Sequence, residues 1–143
     1  QIAGILSESS EELITALGSF GMHLGNAFQI IDDTLDYESD SSIIGKEIGD
    51  DLSEGKVTLP MIYALEQTTG KENKILTNAI TEADASNIDN IVDILINIKA
   101  FEFSRNVAKD ESIKALNSLK VIPESNYRSA LKLLCELSLE RQS

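Results

Sequence analysis

Seven apolar residues, Leu13, Leu17, Phe20, Leu24, Phe28, Ile31 and Leu35, follow one another at steps of four, three, four, four, three and four. An α-helix, turning about 100° per residue, lines such a series up as one stripe. The spacing predicts a helix of about 25 residues, long enough to dictate what packs beside it. "SSEE" opens it as a capping box, with Ser9 at the N-cap and Glu12 at N3.

The rest of the chain keeps that period. Proline occurs only at Pro60 and Pro123, and Leu, Ile and Ala recur at helical spacing, so the fold class is all-α. "KVTLPMIYALEQT" is expected to be a helix with Pro60 in its first turn. "KENKILTNAITE" follows as a short helix after a break at Gly70. Residues 86–119 are expected to form one long, bent helix from a Ser86 cap, and a last helix starts with Pro123 at N1. Residues 38–55, framed by Gly45, Gly49 and Gly55, lose the periodicity and read as loop with room for a short helical turn. With 143 residues, 42% of them hydrophobic, the chain suffices for one domain with a real core.

A second face of the first long helix is unusual. Gly18, Gly21, Met22, Gly25, Gln29, Asp32, Asp33 and Asp36 fall together there. Glycine inside a helix costs roughly 0.5–1 kcal/mol against alanine. Three on one face call for a close neighbour or for space kept clear of side chains. Below them, "FQIIDDTLDY" sets three acids into an apolar run, where an isolated carboxylate is expensive unless something pairs it.

The net charge of −12 excludes nucleic acid and anionic membrane surfaces as general partners. Between Asp32 and Lys56 lie nine acids and two lysines, a local net of −7, which suits a solvated loop or a place that gathers divalent cations. Cys135 is the only cysteine, so no internal disulfide can form. No apolar run approaches the ~20 residues of a membrane span, and no signal-like start is present, which together suggest a cytoplasmic protein. The opening "QIAGIL", without an initiator Met, reads as a longer protein entered midway.

Asp32 and Asp36 are i,i+4, and Asp33 and Asp36 are i,i+3, so the spacing lets all three converge. Their mutual repulsion near a helix C-terminus is relieved by a bridging cation. Oxygen donors without His or Cys fit Mg²⁺ or Mn²⁺ rather than zinc. Mg²⁺ takes few protein carboxylates and completes its shell with water and phosphate, so a diphosphate substrate is a natural third party. Lys46 and Lys56, each beside a glycine, are the cations of this stretch and could neutralise what charge remains. The bland alternatives are a solvated helix end and charge balance in a wet loop. A calcium loop numbered from Asp36 is a rival: Asp36, Glu38, Asp40, Ser42 and Glu47 fall at ligand positions, but Ser41 stands where the sharp turn needs glycine.

"FQIIDDTLDY" followed by "GKEIGDDLSEGKVTLPMIYAL" closely resembles the second aspartate-rich motif and lysine-bearing segment of trans-polyprenyl diphosphate synthases, most of all the bacterial octaprenyl type. The F-Q pair, the acid spacing, both lysines and the T-L-P turn agree together. The resemblance implies an all-helical isoprenoid synthase (terpenoid synthase-like) bundle, a homodimer, and a deep cavity between helices. It implies a prenyltransferase in which an allylic prenyl diphosphate, held by Mg²⁺, ionises and is attacked by isopentenyl diphosphate before a proton is lost. Asp32 would be the main metal ligand, supported by Asp33 and Asp36. Phe28 and Gln29 would wall and polarise the site, Lys46 and Lys56 would hold the allylic diphosphate, and Asp51 would support the substrate site from behind. Such chemistry needs charge stabilisation at the leaving group and exclusion of water from the cation. The departing diphosphate can serve as the base.

The family's first aspartate-rich motif and its upstream basic motif do not occur in these residues. Residues 1–143 are therefore expected to be the C-terminal portion of a single polyprenyl synthase domain, with 38–55 as its active-site loop, and inactive alone. A non-catalytic helical subunit of a prenyl synthase assembly is the alternative from another class. Away from the acids, His23 reads as a packed or surface residue, Cys135 as core, Tyr37 as filling space and Arg105 as structural. Tyr127 and Arg128 read as a solvated face with the aromatic packed.

Overall fold

The computed structural model describes residues 2–38 and 48–139, and within them every regular element is helical. In chain order these are α1 (Ile2–Leu6), α2 (Glu11–Glu38), α3 (Asp50–Ser53), α4 (Leu59–Gln67), α5 (Gly70–Glu82), α6 (Ile88–Asn97), α7 (Ala100–Ser118), a 3₁₀ turn (Leu119–Val121) and α8 (Asn126–Leu139). No helix among the described residues is long and apolar enough to cross a membrane.

α2 is the expected long helix, 28 residues with Glu11 and Glu12 in its first turn, where acids complement the helix dipole. Its cap is one residue later than the capping box predicts. The Leu13 amide donates to the Ser10 hydroxyl at 3.3 Å, so Leu13 rather than Glu12 occupies N3. Ser9 stays outside, its amide donating to the Gly4 carbonyl.

The described residues fall into two compact units, one drawing on Gln1–Gln29 and Val107–Arg141, the other on Ile30–Asn106. The first unit is built on Phe20, Ala115, Leu119 and Cys135, with Leu24, Leu116, Ile122 and Leu131 packed around them. Cys135 is thus core, and burial pushes its thiol pKa up. Beside this core, Glu111 of α7 accepts from His23 Nδ1 at 2.8 Å and Asn26 Nδ2 at 3.0 Å, and pairs with Lys114 at 2.6 Å. A Cβ on Gly21 or Gly25 would meet nothing within 4 Å. Of the two explanations for the glycine face, open space is the one found at these two positions. A cavity of about 560 Å³ borders them, lined by Leu24, Phe28, Leu134 and Leu137.

The second unit has the larger core, with Tyr37, Leu52, Met61, Leu76, Ile91, Leu95 and Phe101 among its buried residues. α4, α5 and α6 pack on one another there. Tyr63 and Phe103 stack at 4.1 Å between ring centroids.

Three further helix boundaries differ from expectation. The single helix over 86–119 is two helices, because Lys99 takes a left-handed φ of 60° between α6 and α7. Ser86 does not cap α6; its amide and hydroxyl donate to the Asp84 carboxylate at 2.8 and 2.9 Å, which holds that carboxyl below its usual range. α8 begins at Asn126 rather than Pro123, with Ser125 accepting the Arg128 amide at 3.2 Å. Tyr127 is 84% exposed instead of packed, and it is Arg128, paired with Glu124, whose side chain is largely covered.

Candidate active site

The acidic end of α2 shows a gradient of burial. Asp32 is exposed, Asp33 half-buried, and Asp36 only 4% exposed. A buried carboxylate requires hydrogen-bond partners. Asp36 has one in the Asp51 amide, which donates to its Oδ2 at 3.1 Å, while its own backbone carbonyl accepts the Gly49 amide at 3.1 Å. One residue therefore seats the start of α3.

Gly49 makes that seat possible. It has a left-handed φ of 81°, and a Cβ there would lie 2.6 Å from Ile88 Cδ1. α3 has only four residues, far too few to persist by its own hydrogen bonding, and Leu52, fully buried, anchors it.

Beyond α3 the chain turns back onto Asp51. The Lys56 amide donates to the Asp51 carbonyl at 2.8 Å, and its ammonium lies 2.9 Å from Asp51 Oδ1 and 2.7 Å from Glu54 Oε2. Glu54 first and Asp51 second raise the Lys56 pKa, so the ammonium stays charged at the surface. Two residues on, the buried Thr58 hydroxyl donates to the Tyr37 hydroxyl at 3.2 Å. Tyr37 is 1% exposed and stacks against Phe101 at 6.4 Å between centroids. Burial pushes its phenol up to about 12; the Thr58 hydrogen bond opposes that, and the carboxylates of Asp36, Asp51 and Asp33 add to it.

Asp36, Asp51 and Lys56 are thus brought together by direct hydrogen bonds, and Asp33 is close enough to act on the same phenol. Phe28, 44% exposed, and Gln29, exposed, stand on α2 within the first unit. Lys46 lies outside the described residues, as do Asp40, Ser41, Ser42 and Glu47 of the calcium-loop numbering. Glu38 of that numbering is engaged by Arg105, whose two guanidinium nitrogens reach its carboxylate at 2.9 and 2.6 Å. Arg105 thereby ties α7 to the end of α2.

Among the described residues, no group of three or more His, Cys, Asp or Glu side chains could by itself hold a metal ion. The converged patch that the acid spacing predicts is not closed, and Asp36 is turned onto the backbone of residue 51. The donor set still suits Mg²⁺, which needs one or two carboxylates and takes its other ligands from water and phosphate.

Tyr37 and Thr58 go unrecognised as a pair in the sequence, where they stand 21 positions apart. Their signal was a hydroxyl at each end of the acidic segment. Glu111 shows locally only its i,i+3 pair with Lys114; its partners Asn26 and His23 come from α2, 85 and 88 positions away.

The profile of the polyprenyl synthetase family matches residues 1–97. An all-trans-nonaprenyl-diphosphate synthase (geranyl-diphosphate specific) of Rhodobacter capsulatus is 44% identical over 87% of the chain and 38% of its own length. The octaprenyl diphosphate synthase of Haemophilus influenzae is 37% identical over 99% of the chain and 43% of its own length. A polyprenyl synthase structure from Roseobacter denitrificans superposes with a TM-score of 0.86 at 27% identity, over 99% of the chain and 46% of its own. Another, from Caulobacter crescentus and complexed with calcium and isoprenyl diphosphate, gives 0.79 at 31% identity, over 90% and 40%. The fold is the all-α isoprenoid-synthase fold, and the chain spans about two fifths of the curated relatives it matches. By sequence profile, by identity over nearly its whole length and by backbone course, the chain belongs to the trans-polyprenyl diphosphate synthase family.

Proposed function

We propose that this chain supplies one acidic half of a prenyltransferase active site, in a longer protein that condenses isopentenyl diphosphate with an allylic prenyl diphosphate to give a longer trans-polyprenyl diphosphate. One observation carries this reading within the family: the lysine after the acidic motif is held on the segment seated by that motif, through Asp36, Asp51 and Lys56. Asp36 and Asp51 shape the turn, and the acid cluster with its surface ammonium suits a site beside a polyphosphate.

Asp32 and Asp33, with Asp36 behind them, are the residues that would hold Mg²⁺ or Mn²⁺, whose chemistry is to neutralise charge on the diphosphate. Lys56, with Lys46, meets the negative charge that grows on the leaving oxygen as the allylic C–O bond breaks and its electron pair passes to diphosphate. Asp51 keeps the Lys56 ammonium placed, and Phe28 and Gln29 wall the site. The double bond of isopentenyl diphosphate then forms the new C–C bond, and the released diphosphate takes the proton. The full-length protein acts as a cytoplasmic homodimer, and residues 1–143 alone are without turnover.

The test is incorporation of labelled isopentenyl diphosphate by the full-length protein. Asp32→Ala and Lys56→Gln should each lower turnover by roughly 10²–10³, the scale of one strong electrostatic contact, with little change in unfolding midpoint. Losses under threefold in both variants would place these residues on an idle surface.

A further inference from the structure

We infer that Tyr37 and Thr58 are positioning residues for the Lys56 ammonium, through the hydrogen bond between their hydroxyls. This rests on the proposed role of Lys56. Two consecutive residues at the end of α2 pin both ends of the segment that carries the lysine. At the near end, the amides of Gly49 and Asp51 donate to Asp36. At the far end, the Thr58 hydroxyl donates to Tyr37.

Between these anchors the turn is closed by backbone bonds from the Gly55 amide to the Leu52 carbonyl and from the Lys56 amide to the Asp51 carbonyl, but side-chain burial does little to hold it. Leu52 is buried, residues 53–57 are all exposed, and Thr58 is buried again at 4%. Gly55 takes a left-handed φ of 77°, and Val57 is 47% exposed, so neither fixes where Lys56 points. A lysine stem is flexible, and its charge is only as well placed as the backbone beneath it.

Thr58 also gives something up to make this bond. It occupies the N-cap of α4, where a threonine hydroxyl ordinarily accepts an amide of the first turn, yet it makes no such cap. The second helical position is Pro60, which has no amide to offer. The hydroxyl turns instead to the phenol of Tyr37, itself held by burial and by Phe101. The lysine-bearing turn is thereby tied to the residue that follows the last acid of the motif.

The experiment compares full-length Thr58→Val, Thr58→Ser, Tyr37→Phe, Lys56→Gln and Lys56→Gln/Thr58→Val by kcat, KM for the allylic diphosphate, half-activating Mg²⁺ and unfolding midpoint. Thr58→Val and Tyr37→Phe should each lower kcat about tenfold, the scale of coupled contacts, at unchanged half-activating Mg²⁺. Thr58→Ser, which keeps the hydroxyl, should restore kcat. In the Lys56→Gln background Thr58→Val should cost no further turnover, although it shifts the unfolding midpoint as it does in the parent. An equal turnover loss in both backgrounds would overturn the inference, because a merely structural bond acts whether or not the lysine is present. So would a severe Lys56→Gln beside Thr58→Val and Tyr37→Phe variants within threefold of the parent. A Lys56→Gln within threefold of the parent overturns the role of Lys56 itself, and is read without any change at Thr58.

Discussion

Gly49 faces Ile88 so closely that a Cβ on the glycine would stand 2.6 Å from the isoleucine Cδ1. With φ at 81°, backbone conformation disfavours a side chain at this position, and the end of Ile88 would have to shift to admit one. Gly49→Ala should destabilise the protein by about 2 kcal/mol, combining left-handed strain with overpacking. Urea unfolding measures it, and a loss below about 0.5 kcal/mol would mean that Ile88 yields freely.

Leu52 should be worth more than its place in a four-residue helix suggests. It is fully buried, and α3 carries Asp51 on its first turn. Leu52→Ala should cost about 2–4 kcal/mol. It should also speed tryptic cleavage after Lys56, since residues 53–57 lose their near anchor. Unchanged cleavage in a destabilised variant would show that the turn is held without α3.

Metal binding should depend on diphosphate. With Asp36 engaged by Asp51, the described residues offer few fixed ligands to an ion that sheds water reluctantly. Calorimetry of the full-length protein should find weak Mg²⁺ binding that tightens at least about tenfold with a diphosphate analogue, and Asp32→Ala should abolish the gain. Tight binding without diphosphate, or a preference for Ca²⁺, would revive the loop numbered from Asp36.

Acid should weaken the first unit through Glu111. Its hydrogen bonds to His23, Lys114 and Asn26, in that order of effect, lower its pKa from 4.5 to about 2. A carboxylate depressed in the folded state contributes stability above its unfolded pKa and loses it as pH falls toward the folded one. Glu111→Gln should therefore cost about 1–2 kcal/mol at pH 7, and the gap to the parent should close between pH 4.5 and 2. Thermal unfolding across that range checks it; a constant gap would assign the cost to packing.

Much of this was legible in the chain because helical period is a local property. The Leu13–Leu35 stripe announces α2, and "FQIIDDTLDY" names its acids. The junction at Lys99 was not legible, because "NIKAF" contains neither glycine nor proline to mark a left-handed residue. Nor was the division among the three aspartates. Spacing says which face Asp32, Asp33 and Asp36 share, but not that a turn 15 residues later lands on the last of them. The Tyr37–Thr58 bond escaped for the same reason, since each hydroxyl is ordinary until the fold brings the other to it.

On the proposed function, the pairing of Lys56 with Asp51 and Glu54 also bears on how a diphosphate first meets this surface. An ammonium with carboxylates at 2.9 and 2.7 Å belongs to a group of net charge −1, and residues 32–56 as a whole carry −7. A bare diphosphate therefore approaches against repulsion, and its encounter rate rises as salt screens the acids, the reverse of capture by a basic cleft. Arriving already complexed with Mg²⁺, the same diphosphate sheds most of that barrier. On the proposed function, Lys56 is then a contact of the last few ångströms that draws nothing in from afar.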